Sequence, residues 1–230
     1  MKKAFTLAET LITLGIIGVV AALTIPSLVS KYQKHVYYTQ FRKAATVLEN
    51  AINQYNFDHG CGAKFDDFNY DNLCDQSEGS INSMADKLSK YIQVTEWLND
   101  YNKQEICKGY QKLPIAYNYD GSNRENEVYT YHCDNELGHN YTNGYGFITS
   151  DGVLINFATD EAHGNGQFVD INGPNKGPNI FGRDIFVSYI RGPVSYRWGF
   201  PEEEYGNCFG SNKQGDDCGL RLLQEGKMNY

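Results

Sequence analysis

Hydrophobic side chains dominate the start of the chain, MKKAFTLAETLITLGIIGVVAALTIP, and a single acidic residue interrupts them. The apolar run extends from Phe5 to Ile25 and contains Glu9 near its beginning. A helix over residues 5–25 rises about 1.5 Å per residue and is roughly 30 Å long, which matches the hydrocarbon core of a bilayer. The pattern therefore predicts a membrane-spanning helix over residues 5–25.

After Pro26 the pattern becomes one-sided but keeps a helical period. Apolar residues recur at spacings of three and four, at Tyr37, Phe41, Ala44, Leu48, Ile52 and Tyr55. A proline inside a helix removes one hydrogen bond and kinks the axis without necessarily ending the helix. We therefore predict one long helix from Phe5 to about Asn56, in which residues 26–58 form the amphipathic continuation. Two helices separated at Pro26-Ser27 are the alternative.

Residues 59–230 have the pattern of a globular domain. A polar, turn-forming stretch follows His59, and a helical pattern over residues 81–92 predicts a second, short helix. Beyond Pro114 apolar and polar residues alternate, and the candidate strands are Glu127–Cys133, Tyr145–Thr149, Val153–Phe157, Gln167–Ile171 and Asp184–Ile190. The predicted fold class is α+β, with the long N-terminal helix packed on a C-terminal antiparallel β-sheet of about four strands.

Six cysteines occur in the chain, and none of them forms a CxxC pair. Because histidine is scarce as well, the pattern disfavours a structural zinc site and favours disulfides in an exported domain. Fifteen pairings are open, and we expect neighbours in the sequence to pair. Cys208 and Cys218 enclose a short loop rich in glycine and aspartate, which makes them the strongest pair. The candidate disulfide residues are Cys61, Cys74, Cys107, Cys133, Cys208 and Cys218.

Charge and motif content disfavour two functional classes. The net charge is −8, and no basic run occurs beyond residue 43, so nucleic acid is not an expected partner. The chain has no G-x-S-x-G, P-loop or dinucleotide-binding motif, and its five histidines lack the spacing of a triad or a metal pair. We therefore expect no enzymatic activity and no catalytic residues.

The position of Glu9 inside an apolar helix requires an explanation. A carboxylate within a bilayer costs a few kcal/mol on insertion scales. A cleaved secretory signal has a shorter apolar core, and an ordinary signal anchor gives Glu9 no role. If the chain is cut between Ala4 and Phe5, the new α-amine lies one helical turn from Glu9. Between adjacent chains that amine neutralises the carboxylate and fixes the axial register.

The segment Ala4–Leu11, AFTLAETL, together with Pro26, resembles the processing motif of type IV pilins and type II secretion pseudopilins. In that family a short basic leader is removed ahead of a phenylalanine that is then N-methylated, and a glutamate follows four residues later. The resemblance implies a leader over residues 1–4, cleavage between Ala4 and Phe5, and N-methylation of Phe5. Ala4 stands where the family usually has glycine.

The resemblance implies a structural subunit of a type IV pilus or of a type II secretion-type filament. The expected partners are a prepilin peptidase and methyltransferase, identical or related pilin subunits, and the inner-membrane assembly platform. The chain would cross the cytoplasmic membrane once, with its C-terminal domain outside the cytoplasm, and then enter an extracytoplasmic filament whose core is formed by residues 5–25. Small residues permit close helix approach there. The expected assembly residues are Glu9, Gly15, Gly18 and Pro26.

A membrane-anchored extracytoplasmic binding protein or adhesin, including a minor tip subunit, is the alternative function. Such a protein would use the same export segment without polymerising alone. Lys2 and Lys3 precede the apolar run and favour a cytoplasmic N-terminus in either case.

The C-terminal part resembles pilin-like proteins more loosely, through VDING, GPN and GRDIF within residues 169–186 and through the terminal KMNY, which is similar to their C-terminal strand. Calcium is the one candidate cofactor, because pseudopilins of this kind can hold it in a C-terminal loop and it binds oxygen ligands. The candidate ligands are Asp170, Asn172 and Asn175, with Asp160 and Asp184 as further oxygen donors. The alternative is a turn without metal, because Asp and Asn cap their own backbone.

Overall fold

The structure, a computed structural model, describes residues 6–59, 81–98, 145–160, 164–173, 176–178, 180–191, 195–197 and 218–229, together with Cys208 and Gly215. The helices in these ranges are α1 (Leu7–Asp58), α2 (Ile81–Ser89) and α3 (Cys218–Glu225). The strands are β1 (Val94–Leu98), β2 (Tyr145–Thr149), β3 (Leu154–Asp160), β4 (Gly164–Asp170), β5 (Ile185–Arg191) and β6 (Ser195–Arg197).

Helix α1 continues through Pro26 and comprises 52 residues. At the standard rise this corresponds to about 78 Å. The prediction of one long helix is confirmed, and a division at Pro26-Ser27 is not observed. The helix begins after Thr6 as its N-cap and ends before His59 as its C-cap. The apolar first half and the amphipathic second half therefore belong to the same continuous element.

The second half of α1, unlike the first, is packed in the core. The buried residues recur at helical spacing and are Phe41, Ala44, Ala45, Leu48, Ala51, Ile52, Tyr55 and Asn56. Phe41 contacts Phe186 of β5, with the ring centroids 4.4 Å apart. This stripe is the apolar face that the sequence predicts, and it attaches the helix to the sheet.

The six strands form one antiparallel sheet in the order β1-β2-β3-β4-β5-β6. Strand β2 has the predicted bounds, and the predicted strands at β3, β4 and β5 are also present. The prediction of about four strands was too low, because the sequence pattern indicates neither β1 nor β6. Strand β1 follows α2 so closely that Tyr91 and Ile92 extend the helical pattern, and β6 is too short to show alternation. The predicted strand Glu127–Cys133 lies outside the described residues.

Alternate residues of each strand face opposite sides of the sheet, and buried side chains occur on both sides. The side toward α1 carries a cross-strand row of Trp97, Phe147, Ile155, Val169 and Phe186. The opposite side buries Leu154, Phe168, Ile185 and Val187. Burial on both sides explains why the sequences of β3, β4 and β5 contain adjacent apolar residues in place of strict alternation.

Helix α3 is tied to the rest of the domain by the predicted Cys208–Cys218 disulfide, which the structure contains. Leu222 of this helix is buried in the core. Gly182, with φ +79°, lies so near the disulfide that a Cβ there would be 2.7 Å from the Sγ of Cys218. Cys61, Cys74, Cys107 and Cys133 lie outside the described residues.

The C-terminal end differs from its prediction. Residues 227–229 follow α3 and belong to no strand, so the expected C-terminal strand over KMNY is wrong for the described positions. Met228 is buried against the core nonetheless. Helix α3, which precedes these residues, was not predicted either. Its apolar residues span two turns only, which is too short a pattern to distinguish a helix from a strand.

An ion pair joins α1 to the turn between β2 and β3. Lys43 Nζ lies 2.8 Å from Asp151 Oδ2, and the Thr149 hydroxyl donates a hydrogen bond of 2.5 Å to Asp151 Oδ1. Partial burial raises the pKa of Asp151, but the hydrogen bonds from Lys43 and Thr149 outweigh it and hold that pKa below its usual range. The pair therefore favours the folded state while Asp151 is ionised.

We expect Phe41→Ala to lower the free energy of unfolding by about 3–5 kcal/mol, the usual range for a buried phenylalanine. Phe57→Ala is the matched control on the same helix, because Phe57 is 80% exposed and Phe41 is fully buried. Urea denaturation of both variants in a mild detergent measures the difference. Equal effects of the two substitutions would contradict the packing of α1 on the sheet.

We expect Lys43→Gln to lower stability at pH 7 by about 0.2–1 kcal/mol, as for other solvent-exposed ion pairs. The folded-state pKa of Asp151 is depressed, so its contribution is present above the unfolded-state pKa and is lost as the pH falls through the folded-state pKa. The stability difference between the wild type and Lys43→Gln should therefore disappear in acid. Arg42→Gln, at an adjacent exposed position, is the control and should show no such pH dependence.

Candidate functional site

The first half of α1 presents apolar side chains to its surroundings on all sides. The large exposed residues are Leu7, Leu11, Ile12, Leu14, Ile16, Ile17, Val19, Val20, Leu23, Ile25, Leu28 and Val29. Among the described residues α1 is the one helix long and apolar enough to cross a membrane, and its most apolar window is 0% buried. A continuous apolar surface of this size marks a site of contact with lipid or protein.

Three threonines within this apolar segment satisfy their hydroxyl groups inside the helix. Thr10 donates to the carbonyl of Leu7 (2.8 Å), and Thr13 donates to that of Thr10 (2.9 Å). Thr24 donates to the carbonyl of Val20 (2.9 Å). Because these donors are already bonded within the helix, the threonines do not need water or an external partner. The segment is therefore compatible with an apolar environment despite its polar residues.

Glu9 forms a capping box with Thr6 at the start of α1. Its Oε2 accepts hydrogen bonds from the Thr6 backbone N–H (2.9 Å) and from the Thr6 hydroxyl (2.8 Å). The Glu9 N–H in turn donates to the Thr6 hydroxyl oxygen (3.3 Å). This geometry satisfies backbone donors that would otherwise lack partners at the helix terminus.

Thr6 is not among the residues that the sequence analysis predicts for this site, although the T-x-x-E spacing of Thr6 and Glu9 is a capping-box signature. Ala4 and Phe5 lie outside the described residues. The predicted cleavage between them, and the pairing of the Phe5 amine with Glu9, therefore stay predictions. The structure adds that the carboxylate of Glu9 already has a role within its own chain.

Gly15 and Gly18 are three residues apart and lie on the same face of α1. A Cβ added to either glycine would meet nothing within 4 Å in the single chain. The absence of these side chains therefore brings no benefit to the packing of the described chain. It leaves two shallow positions on an exposed helix face, as close approach of another helix requires.

The loop between β4 and β5 brings three predicted oxygen donors together. Asp170 Oδ1 accepts hydrogen bonds from the backbone N–H groups of Asn172 (3.1 Å) and Gly173 (2.9 Å). Asp184 Oδ1 accepts one from the N–H of Ile180 (2.6 Å), and Asp184 Oδ2 accepts one from Nδ2 of Asn172 (3.3 Å). Both carboxylates are fully buried. Their contacts close the loop on itself.

The loop meets part of the requirement for calcium, which takes six to eight oxygen ligands. Oδ1 of Asn172 is buried and accepts no hydrogen bond, so it adds one oxygen beside the two carboxylates. Asp160 is not part of the loop, because it pairs with Gly164 at the far end of the β3–β4 ladder. No group of three or more His, Cys, Asp and Glu side chains suited to a metal lies within the described part of the chain. Asn175 falls outside that part.

The carboxylate contacts favour the turn over the calcium site. We expect the melting temperature of the wild type to be the same with EDTA as with added calcium chloride, because the loop N–H groups already bind both carboxylates. Asp184→Ala should lower stability by about 1–3 kcal/mol, since it removes the acceptor of the Ile180 N–H and one of the two acceptors of the Asn172 side-chain amide. Asp86→Ala, at an exposed position of α2, is the control. A calcium-dependent rise in melting temperature that Asp184→Ala abolishes would assign the loop to calcium instead.

No protein-family model matches the chain, and no curated protein or solved structure matches it. Evidence for the function therefore comes from the chemistry of the described residues. Of these, the exposed apolar half of α1, with Thr6 and Glu9 at its start, is the feature that most requires a partner.

Proposed function

We propose that this chain is a structural subunit of a type IV pilus or of a type II secretion-type filament, assembled through the first half of α1. Two independent observations support this role. One is the resemblance of AFTLAETL to the prepilin processing motif. The other is the exposure of every large apolar residue from Leu7 to Val29, which is the observation that carries the proposal.

The continuity of α1 explains why its exposed apolar half needs another molecule to cover it. The helix that buries one face against the sheet from Phe41 to Asn56 extends outward over residues 7–29, and we call this exposed part the apolar rod. A continuous helix cannot fold its first half back onto its own domain. Lipid covers the rod while the subunit is in the membrane, and the rods of neighbouring subunits cover it in the filament. Because one apolar environment replaces the other, the transfer out of the bilayer is not strongly uphill.

Glu9 supports this role because it lies at the start of the rod and can accept further hydrogen bonds. In the single chain its Oε2 accepts both hydrogen bonds from Thr6. An ionised carboxylate has about four acceptor positions, so Glu9 can keep the capping box and also accept from the α-amine of Phe5 on a neighbour. In this proposal the amine–carboxylate pair sets the axial register between adjacent rods.

The proposal includes the processing and location that the family resemblance implies. A prepilin peptidase removes residues 1–4, a methyltransferase modifies the amine of Phe5, and an assembly platform in the cytoplasmic membrane takes up the product. Until that cleavage Lys2 and Lys3 keep the N-terminus on the cytoplasmic side, and the globular domain lies outside the cytoplasm. The function is structural and needs no catalytic residue.

The alternative, a membrane-anchored binding protein or adhesin, keeps the same rod permanently in the bilayer. The two functions differ in the fate of residues 1–4 and in the importance of the Glu9 charge. An unprocessed anchor retains Met1, whereas a filament subunit loses four residues and gains one methyl group. The intact mass of the purified chain therefore separates them.

Glu9→Gln tests the proposed charge pair, because glutamine preserves the capping box while removing the charge. We expect the variant to insert and to be processed normally, as shown by its intact mass, but to be at least tenfold depleted in sheared filaments. A loss of about 1.4 kcal/mol at a subunit contact lowers that association constant tenfold. Quantifying the chain in sheared and membrane fractions measures the effect.

Glu49→Gln is the matched control, because Glu49 is exposed on the same helix but lies outside the apolar rod. It should assemble like the wild type. Normal filaments from Glu9→Gln, together with a defect in Glu9→Ala, would show that Glu9 acts only as a cap. A mature chain that retains Met1 would support the anchor.

A further inference from the structure

A basic segment of α1 follows the apolar rod and overlaps the start of the part that packs on the globular domain. All four lysines and arginines of α1 fall within residues 31–43, and no acidic residue occurs between Thr10 and Leu48. Residues 1–58 carry six lysines and arginines against three acidic residues, while the rest of the chain carries fourteen against twenty-five. The positive charge of α1 is thus concentrated where the rod ends.

The helical rise places two of these basic residues at the level of lipid headgroups. Lys31 and Lys34 lie about 3 Å and 7–8 Å beyond Val29, the last large apolar residue of the rod. The headgroup layer is about 5–8 Å deep on each side of the hydrocarbon core. Tyr32 lies between the two lysines and is 68% exposed, at the level where tyrosine is enriched in membrane proteins. Arg42, about 20 Å beyond Val29, lies past this layer.

The preference for positive residues on the cytoplasmic side of a membrane does not account for these lysines. Positive residues mark the cytoplasmic flank of a membrane helix, which explains Lys2 and Lys3. Lys31 and Lys34 flank the other end, next to the domain that lies outside the cytoplasm in the proposed topology. Lys31 is exposed, and Lys34 is half-buried. Because lysines are disfavoured on that flank, the presence of two of them indicates a negatively charged ligand at the depth of the headgroups.

We propose that Lys31, Tyr32 and Lys34 bind the headgroups of anionic lipids at the outer face of the cytoplasmic membrane. The inference rests on the proposed function, because it requires α1 to span the bilayer. Lysine attracts anionic headgroups within about a Debye length, and Tyr32 places its ring at the same boundary. The acidic globular domain of a second copy is the competing partner, and the dependence of lipid association on the protein-to-lipid ratio distinguishes the two.

Such binding fixes the depth of the subunit before assembly. Glu9 and Lys31 are separated by 22 residues, or about 33 Å, so the two charges lie at opposite boundaries of a hydrocarbon core of roughly 30 Å. The lipid contacts hold one boundary, which keeps Glu9 near the other. Extraction into a filament then requires release of the bound headgroups.

The test uses the full chain reconstituted into phosphatidylcholine vesicles that contain a trace of spin-labelled phosphatidylglycerol or spin-labelled phosphatidylcholine. The motionally restricted fraction in the electron paramagnetic resonance spectrum gives the relative association of the two lipids with the protein. The variants are Lys31→Gln/Lys34→Gln and, as the matched control on the same helix, Arg42→Gln.

We expect the wild type to prefer phosphatidylglycerol at low salt and the double variant to lose several-fold of that preference. One lysine near an anionic surface contributes about fivefold at most. Arg42→Gln should retain the preference, and high salt should abolish it in the wild type.

Equal association of both lipids with the inserted wild type would overturn the inference, and so would an equal loss from Arg42→Gln. A preference that varies with the protein-to-lipid ratio would overturn it as well, since that result assigns the lysines to contact with a second copy. Failure of the wild type to insert into vesicles of either composition would contradict the proposed function itself.

Discussion

The burial of one face of residues 41–56 of α1 against the sheet is the interaction on which the rest of the structure depends. Phe41, packed on Phe186, and the buried residues at helical spacing after it hold the helix in one direction. Since α1 continues through Pro26, that direction is passed on to the apolar rod. The rod is then exposed by necessity. The domain thus presents an apolar surface that only lipid or other chains can cover.

The polar side chains of the rod either form hydrogen bonds within the helix or lie at one end of it. Thr10, Thr13 and Thr24 bond to carbonyls of their own helix, and Glu9 caps the helix with Thr6. The carboxylate is therefore a boundary residue at one end of the rod, and Lys31 marks the other end. A charge at a boundary is far less costly than one at the bilayer centre.

Besides the sheet, two loops of the globular domain meet α1 within the basic segment. The β2–β3 turn is bonded to Lys43, and burial, followed by the negative charge of Asp184, raises the pKa of Tyr37. The two loops also contact each other, because a Cβ on Gly173 would lie 2.5 Å from the carbonyl oxygen of Gly152. The internal bonds of Asp170 and Asp184 thus shape the end of the domain that faces the rod.

The sequence alone determined the elements whose signals are local: the rod, the amphipathic stripe of α1, strand β2 and the pairing of Cys208 with Cys218. Tertiary contacts decided the elements with short or mixed signals, which are β1, β6 and α3. Pairing with distant strands stabilises β1 and β6, and burial in the core stabilises α3. The same holds for the loop, where Asp170 and Asp184 come together across fourteen positions. A helical or alternating period can be read from neighbouring residues. Which buried face, loop or carboxylate meets which partner depends on the folded chain.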